Sequence, residues 1–226
     1  MSAPADLRLG LVALGDSITV GEGSMALGVP PLSWAQWVAR ALDLPFTSYA
    51  VNGAYTRDVL RLQLPRVRAP HDIAALYAGV NDVRSPDFDA AAYERDLDAV
   101  AAGLAARADR LLMLTLPEDL GRPTSAPKPS LANAAVRRVA ARRGAVLADL
   151  ADFGGWTHVL PDVVHPTAIG QLEIADRAAL ALGAPLLPSA LVGERRAHSA
   201  RYAPAYARAL ARDLLRRTRE RMSAPR

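Results

Sequence analysis

The chain contains no cysteine. That excludes disulfides, a thiol nucleophile and a cysteine-based zinc site. Lys128 is its only lysine, so the arginine count reflects coding preference and says little about an anionic partner. No uninterrupted apolar run is long enough to span a bilayer. Residues Met1 to Asp6 are short and polar and lack a basic segment followed by an apolar one, the pattern of a secretory leader. The expectation is a soluble cytoplasmic protein. No internal repeat is visible.

What remains is a chain of 226 residues, 51% of them hydrophobic. That is enough for one domain with a real core. The net charge of +4 is unevenly placed. From Glu194 onward there are ten arginines and three acids, a net of +7, which leaves −3 on residues 1–193. The basicity belongs to the tail.

Strand-like and helix-like patterns alternate, which argues for an α/β fold with a parallel sheet covered on both faces. The apolar runs expected as strands are 9–14, 46–51, 72–78, 111–116 and 145–150. Helices are expected over 34–42, capped by Ser33, and over 56–66, 89–106, 130–143 and 167–182, with Pro166 opening the last. Tyr93, Leu97, Val100 and Leu104 share one face of the fourth-strand-preceding helix. Residues 1–183 form the expected catalytic domain. Residues 184–226 form a C-terminal extension whose amphipathic helix, about 204–222, sets Tyr206, Leu210 and Leu214 against Arg208, Arg212, Arg216 and Arg219.

The strands of a parallel sheet share one direction, so the loops at their carboxyl ends gather along one edge. Ser17, Gly53 and Asn81 each follow a different strand, and Asp162 and His165 lie on a later loop returning to that edge. A serine oxygen attacks only when a base takes its proton. His165 can be that base. Asp162, three residues earlier, can accept from the other ring nitrogen and fix its tautomer. The N–H groups of Ser17 and Gly53 and the side-chain amide of Asn81 can hold the developing oxyanion. Gly53 suits that task because its bare backbone can approach substrate. Asp16 and Asp82 are expected to brace their own turns.

These residues stand in four blocks: Gly15-Asp16-Ser17, Val51-Asn52-Gly53-Ala54, Gly79-Val80-Asn81-Asp82 and Asp162-Val163-Val164-His165-Pro166. In content, order and interval, over about residues 9–183, they resemble the SGNH hydrolases, also called GDSL esterases and lipases. Ser48 stands where many members carry asparagine. The resemblance implies a flavodoxin-like three-layer α/β/α sandwich with a five-stranded parallel sheet. It implies metal-free hydrolysis, with no cofactor, of small-molecule esters, thioesters or carbohydrate acetates. Ser17, Asp162 and His165 are then catalytic, and Ser17, Gly53 and Asn81 form the oxyanion hole. Short-acyl or acetyl esters are favoured; acyl transfer, lipase and thioesterase activity use the same site.

A non-catalytic module would cradle an anion at the first turn, with Ser17 and Thr19 as ligands. A metal site at His158, Asp162 and His165 is disfavoured, because Pro161 and Pro166 prevent one continuous helix and no further ligand is evident. His71 and His198 are expected at the surface. Trp156, Tyr55, Tyr77, Met25 and Leu27 are candidate pocket walls. The basic tail helix is read first as docking on the body or a second subunit, then as a peripheral contact with an anionic membrane, and last as a nucleic-acid binder, for which it carries no motif.

Overall fold

The first strand, β1 (Leu11–Gly15), is buried from end to end, because it lies inside the sheet with a helical layer on either face. The computed structural model describes residues 8–23, 28–119 and 127–192, with Pro204, Ala207, Arg208, Leu210, Ala211, Arg212 and Leu215 beyond them. The strands are β1, β2 (Phe46–Ser48), β3 (His71–Tyr77), β4 (Ala108–Leu114) and β5 (Val146–Ala148). All pairings are parallel, in the order 2-1-3-4-5. The chain leaves β1 toward one edge and returns through β3 toward the other. The carboxyl ends of β1 and β3 therefore flank the switch point, where open α/β sheets form their crevice.

Helices α1 (Ser17–Val20), α2 (Trp34–Ala41) and α7 (Ala168–Ala181) pack together on one side. On the other lie α3 (Thr56–Asp58), α5 (Ala90–Ala105) and α6 (Lys128–Arg143), with the short α4 (Val80–Arg84) beside α6. Tyr93, Leu97, Val100 and Leu104 are all buried. Ser33 caps α2 through Gln36 N–H, at 3.2 Å. The arginine-rich face of α6 is not left to solvent alone: Arg138 and Arg142 pair with Glu94, and Arg142 and Arg143 with Asp98, on α5.

Several boundaries moved. β4 begins at Ala108 rather than 111, since Ala108 and Arg110 pair with β3 although their side chains are not buried; an apolar run marks only the buried half of a strand. The helix expected over 56–66 is wound three ways, as α3, a π turn (Val59–Gln63) and a 3-10 turn (Leu64–Arg66). Pro65 has no N–H to give, so regular winding stops there. Pro166 does not open α7. It bridges to Val159, and Thr167 is the cap, its hydroxyl accepting from Gly170 N–H at 3.0 Å. His71, expected at the surface, is 2% exposed; it starts β3, its Nδ1 meets the Ala69 carbonyl at 2.9 Å, and burial lowers its pKa.

Three buried carboxamides tie the layers together. Gln63 brackets Gly15, accepting from its N–H at 2.9 Å and donating to its carbonyl at 2.8 Å. Asn133 does the same for Leu116, at 2.7 and 2.8 Å. Gln171 accepts from Trp34 N–H at 2.8 Å and donates to the Ile18 carbonyl at 2.9 Å. Each adds side-chain hydrogen bonds to buried backbone groups of a distant segment.

After α7, a 3-10 turn (Pro188–Val192) packs on α7 and α2. The described residues between 204 and 215 are helical and exposed. Tyr206, Leu214, Arg216, Arg219 and His198 lie outside the described residues, as do Met25 and Leu27. No helix among the described residues is long and apolar enough to cross a membrane.

Candidate active site

Gly15 ends β1 where a side chain has no room: a Cβ there would lie 2.2 Å from the Tyr77 carbonyl oxygen and 2.7 Å from Thr19 Oγ1. The chain then turns directly into α1. Asp16 is the cap, its carboxylate accepting from Ile18 N–H at 3.0 Å, so the turn-bracing role expected for it is observed. Ser17 becomes the first residue of α1 and keeps its hydroxyl free of capping duty. It is 7% exposed.

The loop bearing Asp162 and His165 is closed on itself. Leu160 N–H donates to the His165 carbonyl at 2.8 Å, and Thr167 N–H to the His158 carbonyl at 2.8 Å. Thr167 Oγ1 also donates to the Thr157 carbonyl at 2.7 Å. Within it, Asp162 Oδ1 accepts from the N–H groups of Val164 and His165 at 2.9 and 3.0 Å. Val163, between Asp162 and Val164, has φ 56°. A β-branched residue in the left-handed region is strained, and those two hydrogen bonds hold it there. Asp162 Oδ2 is thereby aimed at His165 Nδ1, 2.6 Å away, and His165 Nε2 lies 2.9 Å from Ser17 Oγ.

Three residues separated by up to 148 positions thus form one hydrogen-bonded line. Nδ1–H donating to Asp162 leaves Nε2 as the acceptor for the serine proton. The Asp162 hydrogen bond raises the His165 pKa more than burial lowers it, and the charges of Glu22 and Asp16 add to the rise. Burial is the largest influence on Asp162, pushing its pKa up. Its hydrogen bonds from the His165 ring and from the His165 and Val164 amides together outweigh burial and leave it below the usual carboxylate value.

The other predicted residues close the same edge. Asn81, in α4, uses one amide hydrogen on the Ala54 carbonyl at 3.0 Å, tying its loop to that of Gly53 and leaving the second hydrogen for a ligand. Gly53 is exposed. A Cβ on it would meet no protein atom within 4 Å, and its φ of 74° favours glycine. Ser48 accepts from Ala50 N–H at 3.3 Å and Ala54 N–H donates to the Val51 carbonyl at 3.2 Å, so this loop is braced without the family's asparagine. Asp82 reaches beyond its own turn. It accepts from Thr56 N–H at 3.0 Å and from Thr56 Oγ1 at 3.1 Å, joining α4 to α3. Tyr77, a candidate pocket wall, is buried at 1% exposure and belongs to the core. Tyr55 lies under the Arg57 guanidinium, 4.7 Å from ring centroid to Cζ. Trp156 is half exposed. His158 is held by the Thr157 hydroxyl at 3.2 Å, edge-on to Phe153.

Gln63, Gln171 and Glu22 stand outside the sequence motifs. A glutamine within an apolar stripe is the signal for the first two: Gln171 falls among Ala168, Leu172 and Ala175, and Gln63 between Leu60 and Leu64. Nothing in the sequence marks Glu22.

Asp16 carries a pH dependence of its own. Burial, aided by the charge of Asp82, raises its pKa to about 7 against the Ile18 hydrogen bond and His165. Its Oδ2 is buried without a partner among the described residues. An unfolded Asp16 ionises near pH 4; the folded one stays protonated to about 7. Stability from Asp16 is therefore fully present below pH 4 and lost as pH rises to about 7, by about 4 kcal/mol in all. Urea unfolding at pH 5 and pH 7.5 should show wild type losing about 2 kcal/mol more than Asp16→Asn between the two. Equal losses would mean that Asp16 is ionised throughout.

Residues 13–172 match the GDSL-like lipase/acylhydrolase family. No curated protein matches the chain in sequence. Among solved structures, LAE5, an alpha/beta hydrolase enzyme from the metagenome of Lake Arreo, superposes with a TM-score of 0.64 at 24% identity, over 77% of this chain and 95% of that one. Axe2, an acetylxylan esterase from Geobacillus stearothermophilus, superposes with a TM-score of 0.61 at 17% identity, over 77% and 94%. At these identities the likeness is one of fold.

Proposed function

We propose that this protein, which belongs to the GDSL-like lipase/acylhydrolase family and is a carboxylic ester hydrolase, cleaves short-acyl esters through an acyl-enzyme on Ser17. The observation that carries the reading is the unbroken line from Asp162 through His165 to Ser17 Oγ. Ser17 Oγ attacks the acyl carbonyl while Nε2 takes its proton. The Ser17 and Gly53 N–H groups and the free amide hydrogen of Asn81 hold the oxyanion. The imidazolium returns the proton to the departing alcohol. A water, activated by the same nitrogen, then releases the acid and frees Ser17.

The short acyl group is supported by the carboxylates of Glu22 and Asp162, which both stand against His165 beside the nucleophile, and by the acetylxylan esterase activity named for the distant Axe2 fold. A p-nitrophenyl series from acetate to palmitate tests both claims. Turnover should peak at acetate or butyrate, and a fluorophosphonate should label Ser17 stoichiometrically. A long-chain optimum would overturn the acyl preference. Absence of both turnover and label would overturn the hydrolase reading and favour an anion-binding role for the first turn.

A further inference from the structure

The segment Gly21-Glu22-Gly23 is wedged between α1 and the histidine loop. Gly21 ends α1, its N–H reaching the Ser17 and Ile18 carbonyls at 3.1 and 3.2 Å, and Glu22 N–H donates to the Ser17 carbonyl at 2.9 Å. On the other flank Gly23 lies so close to the histidine loop that a Cβ would stand 2.3 Å from the Pro166 carbonyl oxygen and 3.2 Å from His165 Cβ. Both neighbours of Glu22 are thus pinned. Its carboxylate stands 3.8 Å from His165 Nε2, with its side chain 48% exposed.

That nitrogen is the one facing Ser17 Oγ, so the departing alcohol must come to it. In the first step the Ser17 O–C bond forms, the ester C–O bond breaks, and the proton passes from Ser17 through Nε2 to the alcohol oxygen. That oxygen needs a hydrogen bond of about 3 Å to Nε2. Its substituents then lie beside Glu22, while the acyl carbonyl faces Gly53 and Asn81. An ionised carboxylate only accepts hydrogen bonds and attracts positive charge. Asp162 adds to the same negative field at His165.

We infer that Glu22 is a specificity-determining residue that reads the charge of the leaving alcohol, favouring cationic alcohols over neutral ones of the same shape, and neutral over anionic. The inference rests on the proposed hydrolase reading. It places the protein among hydrolases of amino-alcohol and similar cationic esters rather than of phosphorylated or sulfated ones.

The test compares acetylcholine with its uncharged tert-butylethyl acetate isostere on the full chain. The ratio of their kcat/KM values, taken within one preparation, should be about fivefold in favour of the cation, the size expected for opposite charges about 5 Å apart in a wet site. It should fall toward unity in Glu22→Gln and in wild type at 1 M salt, and below unity in Glu22→Lys. A ratio unchanged in both variants overturns the inference, as does an equal loss on both esters, which would mean that Glu22 acts only through His165. A wild type labelled at Ser17 by a fluorophosphonate that cleaves neither ester also overturns it. Absence of any Ser17 label overturns the hydrolase reading instead.

Discussion

Ser17→Ala should lower kcat on p-nitrophenyl acetate by about 10⁴-fold or more while the protein stays folded. The Ser17 hydroxyl is bonded to His165 and caps nothing, so its loss leaves no buried backbone group without a partner. Asp162→Asn should fall nearly as far, by about 10³- to 10⁴-fold. The asparagine oxygen can still accept from Val164 and His165 N–H, so the turn survives. Its NH₂ would face Nδ1, which must then accept, forcing the ring proton onto Nε2 where it cannot take one from Ser17. The pH profile separates this from mere damage. Activity requires neutral His165, whose pKa is raised chiefly by Asp162. The acid limb of kcat/KM in wild type should therefore have its midpoint above 6.5, and in Asp162→Asn the residual activity should show the limb moved to lower pH. Residual activity above about one tenth in either variant would remove these residues from the chemistry.

Trp34→Ala should cost about 4 kcal/mol, a large share of the 5–15 kcal/mol typical of a domain. Trp34 is fully buried at the start of α2. Its Nε1–H donates to Thr19 Oγ1, in α1, at 3.3 Å, and its ring meets Tyr77 edge-on with centroids 6.2 Å apart. Truncation opens a cavity between α1 and β3 and takes the donor from a fully buried threonine. The surrounding backbone cannot close over it, because Gln171 holds Trp34 N–H on one side and the Ile18 carbonyl on the other. Urea unfolding should show a lower midpoint with an unchanged slope. Trp34→Phe, which keeps most of the volume but loses the N–H and part of the fused ring, should cost less than Trp34→Ala. A loss under about 1 kcal/mol in Trp34→Ala would show that α1 is held in place without this packing.

The sequence by itself determined the elements and the chemistry. Apolar runs ending at glycine mark β1 and β3, because a central parallel strand is buried on both faces and must stop where the chain turns. Ser17, Asn81, Asp162 and His165 are legible because nucleophile, donor, acceptor and base are the types that the proposed hydrolysis needs, and because parallel strands send their carboxyl-end loops to one edge. What the tertiary structure decided are the pairings that cross from one element to another. His71 is polar by type yet buried by its place at the head of β3. Asp82 bonds Thr56, 26 residues away, across to α3. Gln63 and Gln171 carry no local periodicity signal beyond being polar in an apolar stripe, and their partners are 48 and 153 residues away. Glu22 reads as one more loop acid until Gly23 is seen against Pro166. Local patterns report what a residue needs, burial or a partner; which partner it finds is set by the packing of segments distant in the chain, and that exists only once the layers have closed.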